Sequence, residues 1–262
     1  NSSLILQRGQ GANIVVVYSP LDCLKLAENN KDKEIIFLAV GFETTSPAIA
    51  LMIKDAKKRQ INNLCVLLAL KTMPRAMKGL ILDKDINLDG FMCPGHVATI
   101  IGTKGFSSLA AKYKISMTVC GFQPLDILGG LLSLIEDIEG KKYYCENRYA
   151  RAVKASGNIS AMKAIDEVFI PSESIWRGLG NIEGSGYALK DSYSSFDAER
   201  RYFLNNSEDE EIEGCLCGEI LKGKKKPKDC KLYGGRCTPK SPVGPCMVSN
   251  EGTCGIAYNF GE

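Results

Sequence analysis

Short apolar runs alternate with amphipathic stretches along the first half of the chain. NIVVVY runs into SPLDCLKLAENN, EIIFLAV into GFETTSPAIALMIKDAKKR, NLCVLLAL into KTMPRAMKGLI, and KISMTV into CGFQPLDILGGLLSLIEDI. Each run is nearly continuous and rich in β-branched residues, the pattern of a strand buried on both faces of a parallel sheet. Each stretch that follows carries apolar residues at helical spacing. Between run and stretch sits a small polar loop ending in Pro20, Pro47, Pro74 or Pro124. Proline suits the first turn of a helix, where its missing N–H would have had no partner, and Ser19 and Ser46 stand where N-caps are expected. LDGFMCPGHVATIIG repeats the outline with Pro94, Gly95 and His96 at the turn. The alternation predicts an α/β fold of open, mostly parallel sheets with flanking helices, whose ligands bind outside the carboxyl ends of the strands.

That topology selects residues before any motif does. Glu43, Thr44, Thr45, Lys71, Thr72, Cys93, His96, Cys120 and Gln123 should gather along one sheet edge. The three threonines are equally suited to capping helices, and Lys71 reads as a solvated cation. His96 is the only histidine, and its place directly after Cys93-Pro94-Gly95 favours function. Cys23 and Cys65 read as ordinary buried thiols. Further on, CENRYARAVKASGNISAMKAIDEVF predicts one or two helices, and IWRGLGNIEGSGYALKDSYSSFDAERRY a loop-rich excursion that returns to the sheet, with Trp176 packed inside it.

Three regions follow: an α/β domain over 1–140 carrying the GFETT, PGHV and GFQP loops, a helical and loop-rich region over 141–206 completing the core, and a cysteine-rich module over 207–262. The acidic run SEDEEIEG reads as an exposed connector into that module, and GKKKPK as a solvated loop. A hydrophobic fraction of 45% over 262 residues is enough for sizeable cores. A net charge of +3, from 33 basic and 30 acidic residues, gives no reason to expect nucleic acid or an anionic membrane as partner. No apolar run approaches a membrane span and no signal peptide opens the chain, so a cytoplasmic location is expected.

Six of the eleven cysteines fall in the last fifth of the chain: Cys215, Cys217, Cys230, Cys237, Cys246 and Cys254. Cytosolic thiols stay reduced, so such a cluster points to metal or redox chemistry before permanent disulfides. Zinc modules supply close Cys pairs, which are missing here, and the module holds no histidine. Thiolates from scattered loops suit an iron-sulfur cluster better. Iron-sulfur, zinc and disulfides all remain open at this point, as does a conventional enzyme with Cys93 as nucleophile and His96 as base.

GFETTSP, MCPGHVATIIG, GFQPLDIL, WRGLG with SYSSFDAERRY, and above all PKDCKLYGGRCTPKSPVGPCMVSNEGTC resemble the HypD family of hydrogenase maturation factors, and the resemblance runs through essentially the whole chain. It implies a scaffold for the Fe(CN)2CO group of [NiFe]-hydrogenases, working with a HypC-like chaperone and a HypE-like cyanide donor, more a redox-active assembly platform than a conventional enzyme. It implies a [4Fe-4S] cluster on the family's Cys-x14-Cys-x6-Cys-x16-Cys pattern, which falls on Cys215, Cys230, Cys237 and Cys254. The remaining pair, Cys217 and Cys246, then resembles a redox-active dithiol. Glu43, Thr44, Thr45 and His96 correspond to cleft motifs that would surround the transient iron group. The family's GFEP is GFQP here, so Gln123 carries no charge. Its N-terminal Cys-Gly-x-His-Thr and Cys-Pro-Val-Cys motifs, with the thiol that holds the nascent iron, have no match, and the chain is expected to begin partway through the family pattern.

Overall fold

The computed structural model describes residues 3–204 and 213–261. The acidic connector at 207–214 therefore lies almost wholly outside the described residues.

Helix α1 (Leu4–Gly9) is followed by an irregular stretch and then α2 (Asp22–Asn29). The strand expected at NIVVVY does not form: these residues pair with no strand among those described, and Val15, Val16 and Tyr18 are exposed. A short apolar run becomes a strand only where a neighbour takes its backbone hydrogen bonds. The next four runs do find neighbours. β1 (Ile35–Gly41) leads through α3 (Ser46–Lys58) to β2 (Leu64–Leu70), and β2 through α4 (Met73–Ile81) to β3 (Gly90–Pro94). Helices α5 (Gly95–Ile101) and α6 (Lys104–Tyr113) then precede β4 (Ser116–Cys120), α7 (Pro124–Glu139) and β5 (Cys145–Asn147).

The strands form two parallel sheets, β1-β2 and β3-β4-β5, and the single sheet edge expected from the sequence is divided accordingly. β4 is buried along its whole length, as its apolar pattern requires. β1 is covered on one face only: Ile36, Leu38 and Val40 are exposed although the run is apolar throughout.

α3 shows why these helices form where they do. Pro47 sits in its first turn, Ile49, Met52, Ile53 and Ala56 bury one face, and Lys57 and Lys58 meet the carbonyl end of the dipole. Ser46 is the first helical residue rather than the cap, and its hydroxyl, like that of Thr45, donates to the Phe42 carbonyl. Ser19 likewise does not cap α2; its Oγ accepts from the Leu21 N–H in the turn before the helix.

Helix α8 (Ile159–Val168) packs on α3. The region expected to be loop-rich is instead an antiparallel hairpin, β6 (Phe169–Trp176) and β7 (Gly180–Leu189), followed by a 3-10 turn at Asp191–Phe196 and α9 (Ala198–Tyr202). The hairpin returns to the β1-β2 sheet, where Thr72 N–H donates to the Ser185 carbonyl and Lys71 bridges to Gly186. The cysteine-rich segment adds α10 (Cys217–Leu221), a 3-10 turn at Pro227–Asp229, α11 (Pro245–Val248) and α12 (Thr253–Phe260).

Three clusters of buried residues result. One lies between the β1-β2 sheet and α2, α3 and α8, and includes Ile49, Ile53, Leu64 and Ile165. A second surrounds β3 and β4, with Phe106, Met117 and Val119. In the third, five of seven buried residues are cysteines.

Candidate metal and thiol centre

The third cluster is built from elements too short to be stable alone, helices of five, four and eight residues joined by glycine- and proline-rich loops. Each brings a cysteine inward. Cys217 opens α10, Cys230 follows the 3-10 turn, Cys237 closes the YGGRC loop, Cys246 lies in α11 and Cys254 in the first turn of α12. With Cys215 they line one small pocket, completed by Ile220, Leu232 and Met247.

The six thiols divide by bonding. Cys217 and Cys246 are joined in a disulfide; Cys215, Cys230, Cys237 and Cys254 are free. The Val243 N–H donates to Cys237 Sγ at 3.4 Å. Gly244 leaves room for Cys215, since a Cβ there would come within 2.5 Å of its Sγ. Burial, with the neighbouring Cys230, Cys237 and Cys215, pushes the Cys254 thiol up to about 11.

Among the described residues no group of three or more Cys, His, Asp or Glu side chains is placed to hold one metal ion. The four free cysteines line one pocket, a donor set used by zinc and by iron-sulfur clusters alike.

Comparison with known proteins identifies the family. The HypD family model, described as "Hydrogenase formation hypA family", matches residues 1–261. This chain belongs to the HypD family. It is 39% identical over 268 residues to hydrogenase maturation factor HypD2 of Bradyrhizobium diazoefficiens, covering 100% of this chain and 70% of that protein. It is 38% identical over 266 residues to HypD of Azotobacter vinelandii and 39% over 267 residues to HypD of Cupriavidus necator, each time covering 99% of this chain and 70% of the relative.

In this HypD chain the strand-end loops form two further groups. At the end of β1, Glu43 is 1% exposed. Its Oε1 accepts the Met73 N–H at 2.9 Å, while its Oε2 is buried with no hydrogen-bond partner among the described residues. Burial raises its pKa from 4.5 to about 7, against the lowering effect of the hydrogen bonds from its own and the Met73 amide. Thr44 and Thr45 are exposed beside it. Thr45 and Thr72 occupy N-cap positions without side-chain capping bonds; Thr72 Oγ1 donates to the Gly184 carbonyl.

Lys71 is not the solvated cation its sequence suggests: its Nζ donates to Ser174 Oγ and to the Ile175 carbonyl of β6. Trp176 is half-buried, 6.1 Å from the Phe42 ring, with Nε1 donating to Ser185 Oγ. The hairpin thus ties the GFETT loop to the thiol module, because its turn rests on α10. A Cβ on Gly218 would lie 2.1 Å from the Gly178 carbonyl oxygen, so backbone meets backbone one residue from Cys217.

The second group ends β3 and β4. His96 is exposed, and its ring lies 4.6 Å from Phe122. Gln123 accepts from Arg151, which also pairs with both Asp126 oxygens, so the carboxylate at GFQP is that of Asp126. Cys93 is 1% exposed, and its thiol, hydrogen-bonded to Cys145, is pushed well up by that bond and by burial. A nucleophilic cysteine needs the opposite shift. The burial of Cys93 and the upward push on its thiol weigh against the Cys93–His96 nucleophile-and-base reading. Outside this loop, Cys23 and Cys65 are buried as expected, while Cys120 borders Gly130 of α7.

Proposed function

We propose that this chain is a redox-active scaffold of [NiFe]-hydrogenase maturation, supporting assembly of the Fe(CN)2CO group together with a HypC-like chaperone and a HypE-like cyanide donor. The observation that carries the reading is the division of six thiols around one pocket, four free and two joined, in a chain of the HypD family. Cys215, Cys230, Cys237 and Cys254 would hold a [4Fe-4S] cluster. When bound, it supplies one-electron chemistry beside the disulfide.

The chain's own residues supply the rest. The Cys217–Cys246 pair stores two electrons and two protons when it opens. Glu43, with a pKa near neutrality, holds or releases a proton at the end of β1. The exposed Thr44 and the exposed ring of His96 offer hydrogen bonds to the cyanide ligands of an iron cargo, and Thr45 joins them when its hydroxyl leaves the Phe42 carbonyl. Absence of any helix among the described residues long and apolar enough to cross a membrane accords with a scaffold that meets its partners in solution.

The ligand and dithiol roles separate experimentally. Cys217→Ala and Cys246→Ala should each retain wild-type iron and sulfide content while losing the two-electron thiol titration. Loss of iron from either variant would contradict the assignment.

A further inference from the structure

The Cys217–Cys246 disulfide stands between two cavities. The inner one is the thiol-lined pocket, to which both cysteines contribute. The outer one, about 670 Å³, lies between the β6-β7 turn and α10; Cys217 and Cys215 line it and Cys246 does not. Of the two disulfide cysteines only Cys217 lines the outer cavity. Cys217 is 3% exposed, which favours a small thiol that enters the cavity over one carried on a folded protein surface. The volume lies within the range of about 300–1,000 Å³ typical of small-molecule sites. Its walls include Trp176, Arg177 and Glu213, with Lys222 and Glu219 beside them already paired to Asp83 and Lys224. Both charge signs beside an aromatic face suit a ligand that itself carries both signs.

We propose that the outer cavity binds a small peptide thiol bearing both ammonium and carboxylate groups, and that this thiol reduces the disulfide by attacking Cys217, with Cys246 as the leaving thiolate. The inference rests on reading the pair as a redox dithiol. In the first step the incoming thiolate forms a bond to Cys217 Sγ, the Cys217–Cys246 bond breaks, and Cys246 takes up the proton given up by the incoming thiol. In the second, another peptide thiolate attacks the peptide sulfur of the mixed disulfide, releasing the oxidised peptide dimer and the Cys217 thiolate, which is then protonated. Two thiols are oxidised and one protein disulfide is reduced. Cys215 is already a free thiol and offers no bond for such an attack.

Iron-loaded full chain carrying Cys246→Ser, which cannot close the ring again, should take one adduct from oxidised glutathione at Cys217, located by peptide mapping and mass spectrometry. The Cys217→Ser protein should take none at Cys246. Mapping acid-quenched wild type after a short exposure to reduced glutathione tests the same point if a variant misfolds: the mixed disulfide should lie on Cys217. Arg177→Ala should slow glutathione adduct formation about two- to fivefold while leaving the neutral disulfide of 2-mercaptoethanol unaffected. An adduct on Cys246 overturns the proposal. A wild-type disulfide that opens with dithiothreitol but never takes glutathione overturns the cavity while sparing the dithiol; one that opens with no thiol overturns the dithiol itself.

Discussion

The two α/β cores and the thiol core bury comparable kinds of surface by different means. Around β1 and β2, and around β3 and β4, long elements bring Ile, Leu, Met and Phe side chains together, and stability follows from the area removed from water. In the thiol core the helices are short and most of the centre is cysteine. Cysteine is a small hydrophobe, so this region depends on what links its sulfurs. The α/β cores owe their shape to packed side chains, while the thiol core adds a covalent link, the Cys217–Cys246 disulfide.

That contrast is sharpest when the link is removed. Chelation of iron followed by reduction should leave 213–261 open to protease while 33–204 stays intact, with cleavage sites read by mass spectrometry. Equal protection of both regions would erase the distinction. Next in size, Phe106→Ala, at a fully buried site of the second core, should cost about 3–5 kcal/mol in denaturant unfolding and leave iron content unchanged.

Glu43→Gln probes the polar exception within an apolar core. Both states carry the proton below pH 4.5. Between 4.5 and about 7 the unfolded chain releases it first, so wild-type stability falls as pH rises through that window and levels off above it. The loss amounts to at most roughly 3 kcal/mol. Glutamine keeps an acceptor for the Met73 amide without the buried charge, so its Tm should exceed wild type at pH 8 and match it at pH 4.5. The smallest effect is expected on the surface, where Lys54→Ala, breaking the exposed pair with Glu167, should change stability by about 1 kcal/mol or less.

The same contrast explains what the sequence made legible. β1 to β4 and the helices after them stand out because continuous apolar runs followed by amphipathic stretches have few other structural solutions. NIVVVY has the same composition, but pairing is a property of the neighbour and not of the run. The β6-β7 hairpin was hidden by its polar residues and glycines, although glycines at 178 and 180, both with positive φ, flanked by two β-branched or aromatic runs are a hairpin signal. The partition into two sheets could not be read, since strand order is absent from periodicity. In the thiol core, spacing showed that six cysteines belong together but not which two join. Glu43 was legible by position alone; its bond to the Met73 amide 30 positions away and its burial were not, because both depend on how the chain packs.

The central claim is that the four free thiols hold an iron-sulfur group. It is tested most directly by anaerobic purification followed by iron, sulfide and zinc analysis of wild type and Cys230→Ala. Brown protein with about four irons and matching sulfide, both lost in the variant, is the expected result. Colourless protein with a single zinc would contradict it, and would make the module a structural site with no part in electron transfer.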